Sequence, residues 1–109
     1  MNRPLALAFA LFAALTTAAC SGDTTGEACT ETADCQKGQT CYTDLRDGFC
    51  SRGCTDEGTD RACGSGTVCS QSGERLFCAP TCEENADCRT GYACLEVRGT
   101  TVKTCRPRT

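Results

Sequence analysis

Thirteen cysteines and no histidine set the chemistry open to this chain. The densest stretch is Cys82-Glu-Glu-Asn-Ala-Asp-Cys88-Arg-Thr-Gly-Tyr-Ala-Cys94, where thiols stand beside carboxylates. Such a cluster could hold a metal, run a redox cycle or close disulfides. Zinc sites draw on Cys-x-x-Cys pairs and on histidine. Neither occurs here, and gaps of three, five, eight and ten residues between cysteines also miss iron–sulfur spacing. Disulfides are the better reading; a metal-storage protein would instead keep its thiols free and open to alkylation.

Catalysis has little to work with. Without histidine there is no Ser-His or Cys-His pair, and bridged cysteines are not nucleophiles. The acidic pairs Asp56-Glu57 and Glu83-Glu84 lie in polar, turn-rich stretches, which read as solvated surface. Asp56, Glu57 and Asp60 could offer oxygens to calcium, but they lack the spaced Asp/Asn loop of a calcium site. No glycine-rich phosphate loop is present. The expectation is a protein that is not an enzyme and carries no cofactor or metal.

The elements that position the cysteines repeat. The phrase of Cys82 to Cys94 occurs earlier as Cys29-Thr-Glu-Thr-Ala-Asp-Cys35-Gln-Lys-Gly-Gln-Thr-Cys41, and Cys63-Gly-Ser-Gly66-Thr-Val-Cys69 keeps its second half. Twelve cysteines fall into three quartets: Cys29, Cys35, Cys41, Cys50; Cys54, Cys63, Cys69, Cys78; and Cys82, Cys88, Cys94, Cys105. The gap between quartets is always three residues, and the second-to-third gap is always five, with glycine at Gly38, Gly66 and Gly91. The middle copy carries three extra residues within Thr55–Ala62. Insertions at fixed places in a repeated frame mark loops on a shared scaffold.

The third-to-fourth segments read as hairpins turning at Asp47-Gly48, Ser72-Gly73 and Arg98-Gly99. Leu95, Val97, Thr101 and Val102 favour strands and make the last hairpin the longest expected. Phe49 and Phe77, each before a fourth cysteine, are placed to cover a bridge. No helix longer than a turn is expected. Four cysteines allow three pairings, which spacing leaves open. The pairing adopted joins first to third and second to fourth, tying the short cysteine-rich stretch to both arms of its hairpin. It gives Cys29–Cys41, Cys35–Cys50, Cys54–Cys69, Cys63–Cys78, Cys82–Cys94 and Cys88–Cys105, each worth about 3 kcal/mol. Such help is needed: from Ser21 onward only ten large apolar residues are available to order nearly ninety. The fold class is therefore small and disulfide-rich, with three tandem cysteine-quartet units, short β-hairpins and little helix.

The N-terminus reads as an export signal over residues 1–19. Arg3 is its positive residue, Leu5 to Leu15 its apolar run and Thr16-Thr-Ala-Ala19 its small-residue end. Thr17-Ala-Ala-Cys20 resembles the lipobox of bacterial lipoproteins, although Thr17 stands where that pattern prefers leucine. The resemblance implies acylation of Cys20 by chains such as palmitate, and Ser21 after it implies sorting to the outer membrane or cell surface. Parity agrees, since setting Cys20 aside leaves an even twelve cysteines. A plain secreted chain would instead carry one exposed thiol. Residues 20–28 are expected to be the lipidated cysteine and a flexible tether, followed by repeats over 29–53, 54–81 and 82–109.

The Cys-x5-Cys-x-x-Gly-x-x-Cys phrase, with Asp34 and Asp87 before its second cysteine, resembles the Dickkopf N-terminal and EB type of cysteine-rich module. In particular it resembles versions found in tandem on bacterial surface lipoproteins. The resemblance spans Cys29 to Cys105. It implies an extracellular disulfide module without catalytic residues.

Charge divides the chain. Ser21 to Asp87 holds thirteen acidic and five basic residues, a net of −8; Cys88 to Thr109 sets Arg89, Arg98, Lys103, Arg106 and Arg108 against Glu96, a net of +4. The basic end could meet an anionic surface polymer or an acidic extracellular protein, or simply keep a hairpin edge soluble. No aromatic residue interleaves its charges as nucleic-acid binding would favour. The sequence thus points to a non-catalytic, lipid-anchored envelope protein with a structural or binding role. A small secreted protease inhibitor presenting Arg46 or Arg75 is the main alternative.

Overall fold

A computed structural model describes residues 23–108. The signal segment and Cys20 lie outside the described residues. Six disulfides hold the structure: Cys29–Cys41 and Cys35–Cys50, Cys54–Cys69 and Cys63–Cys78, Cys82–Cys94 and Cys88–Cys105. In every quartet the first cysteine is bonded to the third and the second to the fourth. Every bridge stays inside its own quartet.

Each unit ends in one antiparallel hairpin. The strands are β1 (Thr40–Cys41) with β2 (Cys50–Ser51), β3 (Thr67–Ser72) with β4 (Arg75–Pro80), and β5 (Tyr92–Glu96) with β6 (Lys103–Pro107). The third and fourth cysteines of each quartet face each other across the ladder, as Cys41↔Cys50, Cys69↔Cys78 and Cys94↔Cys105. A bond between them would only tie a hairpin to itself. Bonded instead to the first and second cysteines, they clamp both arms onto the preceding segment.

The longest ladder is the middle one, not the last: β3 and β4 share six residue pairs, β5 and β6 five. Only Gly73-Glu74 separate β3 from β4, so pairing continues to the turn. Beyond Glu96 the chain instead swings through a wider loop, in which the Val97 amide bonds the Val102 carbonyl at 2.8 Å and Thr100 folds back onto Val97. The first hairpin is the shortest because Tyr42 to Phe49 coils between its strands. Leu45 bonds back to Tyr42 and Gly48 to Leu45. Asp47 and Gly48 both take positive φ there, 60° and 73°. A Cβ on Gly48 would lie 1.9 Å from the Cys29 carbonyl oxygen, so only glycine fits.

The core is shared. Phe49, Phe77 and Tyr92, one from each unit, are buried together with Leu45 and Ala79. The Phe49 and Phe77 rings meet edge to face with centroids 5.0 Å apart, and Phe49 stacks on Tyr92 at 5.5 Å. Phe49 and Phe77 therefore join units instead of each covering its own bridge. The cystines of the first and second units form small clusters of their own. Further seams add to the core. The Ser51 hydroxyl donates to the Cys78 carbonyl, Cys78 N–H bonds the Arg52 carbonyl, and the Ser70 and Thr104 hydroxyls meet at 2.8 Å out of water.

The segment expected to be a free tether is built into the fold from Asp23 onward. Gly26 N–H donates to the Cys50 carbonyl and Cys50 N–H to the Glu27 carbonyl, extending the β2 edge. Thr24 and Asp23 bond the buried Gln39 side chain. Backbone pairing of this kind costs a tether its freedom.

Candidate functional site

The acids beside the cysteines turn out to fold the chain locally. In the first unit, the Asp34 carboxylate accepts from the amides of Thr30 and Glu31 across a 3-10 turn at Thr32–Asp34. In the third, Asp87 accepts from Glu83 and Glu84 across the matching turn at Asn85–Asp87. These amide bonds favour the charged form and hold both carboxyls below their ordinary value. Asp34 lines none of the recesses described below, and Asp87 stands at the rim of one with its carboxylate already taken by the two amides. Close sulfur triplets, such as Cys29, Cys35 and Cys50, each contain a bonded pair and so lack the thiolates that bind metal.

The inserted loop and the basic hairpin, separate in sequence, lie together. Gly58 N–H bonds the Cys69 carbonyl at 2.8 Å and Cys69 N–H bonds the Thr59 carbonyl, so the loop pairs with the outer edge of β3. A Cβ on Gly58 would come 3.3 Å from the Thr100 methyl. Glu57 faces Arg98 at 3.9 Å. Arg106 is drawn into the same seam and donates to the Gln71 and Glu96 carbonyls, while its Nε is buried without a partner. Burial pushes its pKa down, opposed by the charge of Glu57.

Arg89 is the residue whose place departs furthest from the basic, solvent-facing hairpin expected of it. Its guanidinium donates to the carbonyls of Gly26, Arg46 and Gly48 and to the Tyr92 hydroxyl. It also stacks on Tyr92, 4.3 Å from the ring centroid. A planar five-donor group suits a cage of carbonyls; lysine could not fill it. Burial raises the Tyr92 pKa, with the Arg89 charge opposing. Nothing in the local sequence distinguishes Arg89 from a surface arginine. Of the five basic residues after Cys88, Arg89 and Arg106 are drawn into the fold, while Arg98, Lys103 and Arg108 are exposed, Arg98 facing Glu57 and Lys103 reaching the Glu83 carbonyl.

The two arginines of the inhibitor alternative are also engaged. The Arg46 carbonyl accepts from Arg89 and from the Tyr92 hydroxyl at 2.7 Å, turning its peptide inward. The Arg75 guanidinium pairs with Asp44 at 3.0 Å and lies over the Tyr42 ring.

The recesses on the described surface include three of about 290 Å³ or more. The widest, about 750 Å³, is a polar groove lined by Asp44, Ser72, Glu74 and Arg75. A second, about 430 Å³, surrounds Asp23 with Gln36, Arg52, Ala62, Cys63 and Gly64. The third, about 290 Å³, is more apolar, with Phe49, Pro80, Tyr92 and Arg89 in its walls. Comparison with protein-family models, with curated proteins and with solved structures finds no match to this chain.

Proposed function

We propose that this protein is an exported, lipid-anchored envelope component, fixed to the membrane through Cys20 and acting without catalysis as a structural or binding module. The observation that carries the reading is parity: all twelve cysteines of the repeats are bonded within their quartets, which leaves Cys20 as the one cysteine outside them. Six bridges on so thin a core fit an oxidising compartment. Loops held by bridges on both sides lose little entropy on meeting a partner, which suits recognition.

Intact mass of the protein from its native membrane, with and without reduction, tests the reading. Acyl mass on Cys20 and a gain of twelve hydrogens on reduction are the expected result. A mature chain with an unmodified Cys20 discards the anchor.

A further inference from the structure

We infer that the face around Asp23 lies against the anionic headgroups of the membrane, holding the folded body flat on the bilayer. The inference rests on the anchor at Cys20. Only Ser21 and Gly22 separate Cys20 from Asp23, and Asp23 is already held in the fold through its bonds to Thr25 and Gln39. Three residues at full extension span about 10 Å. The surface around Asp23 therefore sits within about one Debye length of the bilayer.

The charge of that surface departs from its surroundings. Lys37, Arg52 and Arg61 are three of the five basic residues between Ser21 and Asp87; Asp23 and Asp60 are only two of the thirteen acidic ones. Lys37 sits in the turn closed by Gln39 N–H on the Gln36 carbonyl, and Gln36 N–H is in turn bonded to the Thr24 hydroxyl. Arg52 lines the recess that opens at Asp23, and its guanidinium lies over Gly38. Arg61 belongs to the turn closed by Cys63 N–H on the Asp60 carbonyl, whose next residues, Ala62 to Gly64, form the opposite wall.

All three basic side chains are exposed, and none makes an ion pair or side-chain hydrogen bond among the described residues. The basic residues Arg46 and Arg75 lie elsewhere, against Gly91 and Asp44. The Thr25 hydroxyl and, beside it, the charge of Arg52 favour the ionised form of Asp23, and an anionic leaflet supplies the further counter-charge that Lys37 and Arg61 lack. Each basic group near such a surface strengthens adsorption about fivefold.

The chain has only two lysines, Lys37 and Lys103, and Lys103 lies on the third unit's hairpin. Purified lipoprotein, its Cys20 acylation checked by mass, is placed in phosphatidylcholine vesicles or in equimolar phosphatidylcholine and phosphatidylglycerol. It is then treated with a water-soluble acetylating reagent. The ratio of Lys37 to Lys103 labelling should fall about fivefold in the anionic vesicles, and the R52E/R61E variant should restore it. An unchanged ratio on acylated protein overturns the membrane-facing surface and leaves the anchor standing. A fall that R52E/R61E does not reverse overturns the electrostatic contact. Missing acyl mass overturns the anchor and this inference with it.

Discussion

The first and third units close their opening stretch with a side chain, and the second closes it with backbone. Asp34 and Asp87 each gather two amides over a 3-10 turn. The middle unit has no such aspartate. There Gly58 and Thr59 pair with Cys69, and the enlarged loop becomes a third strand-like edge beside β3. The cysteine frame is the same in both solutions. It fixes where the chain must return, and any local hydrogen-bonding scheme that reaches the next cysteine will serve. The backbone solution has a second effect: it pushes Glu57 and Gly58 against Arg98 and Thr100, so the insertion braces the third unit.

The turn glycines break this comparison most sharply. Gly48 of the first unit is walled by the Cys29 carbonyl, whereas a Cβ on Gly73 of the second would meet no heavy atom within 4 Å. Gly48→Ala should cost about 4 kcal/mol, combining overpacking with a left-handed backbone, and Gly73→Ala about 1 kcal/mol. Chemical denaturation read by tyrosine fluorescence measures both, and equal losses would contradict the crowding at Gly48. Arg89→Met comes next. It strands several inward carbonyls of the first unit and should cost about 2–3 kcal/mol, although the substitution lies in the third. Proteolysis that finds the first unit as protected as before would show that this arginine does not bind them together.

Gly58→Ala tests the brace. Its φ of 92° and the nearby Thr100 methyl predict a loss of about 1 kcal/mol, and T100G should recover part of it. Full additivity of the two would mean that loop and hairpin are not in contact. The smallest effect is the one that separates the two closing schemes. Asp34 and Asp87 titrate below their ordinary value of 3.8, so their stabilisation is present above that pH and is lost as pH falls through the folded value. The double variant D34N/D87N should flatten this acid limb of the stability curve. A limb that stays as steep assigns it to other acids.

Much of this could be read in the residues. Cysteine spacing set the three units, and the glycine-bearing third-to-fourth segments marked three hairpins, because both signals are local. The aromatic core was not legible. Phe49, Phe77 and Tyr92 each belong to a different unit, and no periodicity links residues that far apart. The role of Arg89 was hidden for a related reason: its partners are carbonyls, which every residue has. The inserted loop read as solvated surface, but its neighbour is the hairpin of the next unit.

The confinement of each bridge to its own quartet has a topological consequence. Covalently the repeats are three closed knots on one thread, with plain linkers between them. Arg52 and Gly53, in the first linker, are exposed. A single cut after Arg52 would leave two pieces with no covalent bond between them among the described residues, kept together by the packed rings of Phe49, Phe77 and Tyr92, the hydrogen bonds of Arg89 and Ser51 and the Arg75–Asp44 pair. In denaturant, without any reductant, those pieces would drift apart.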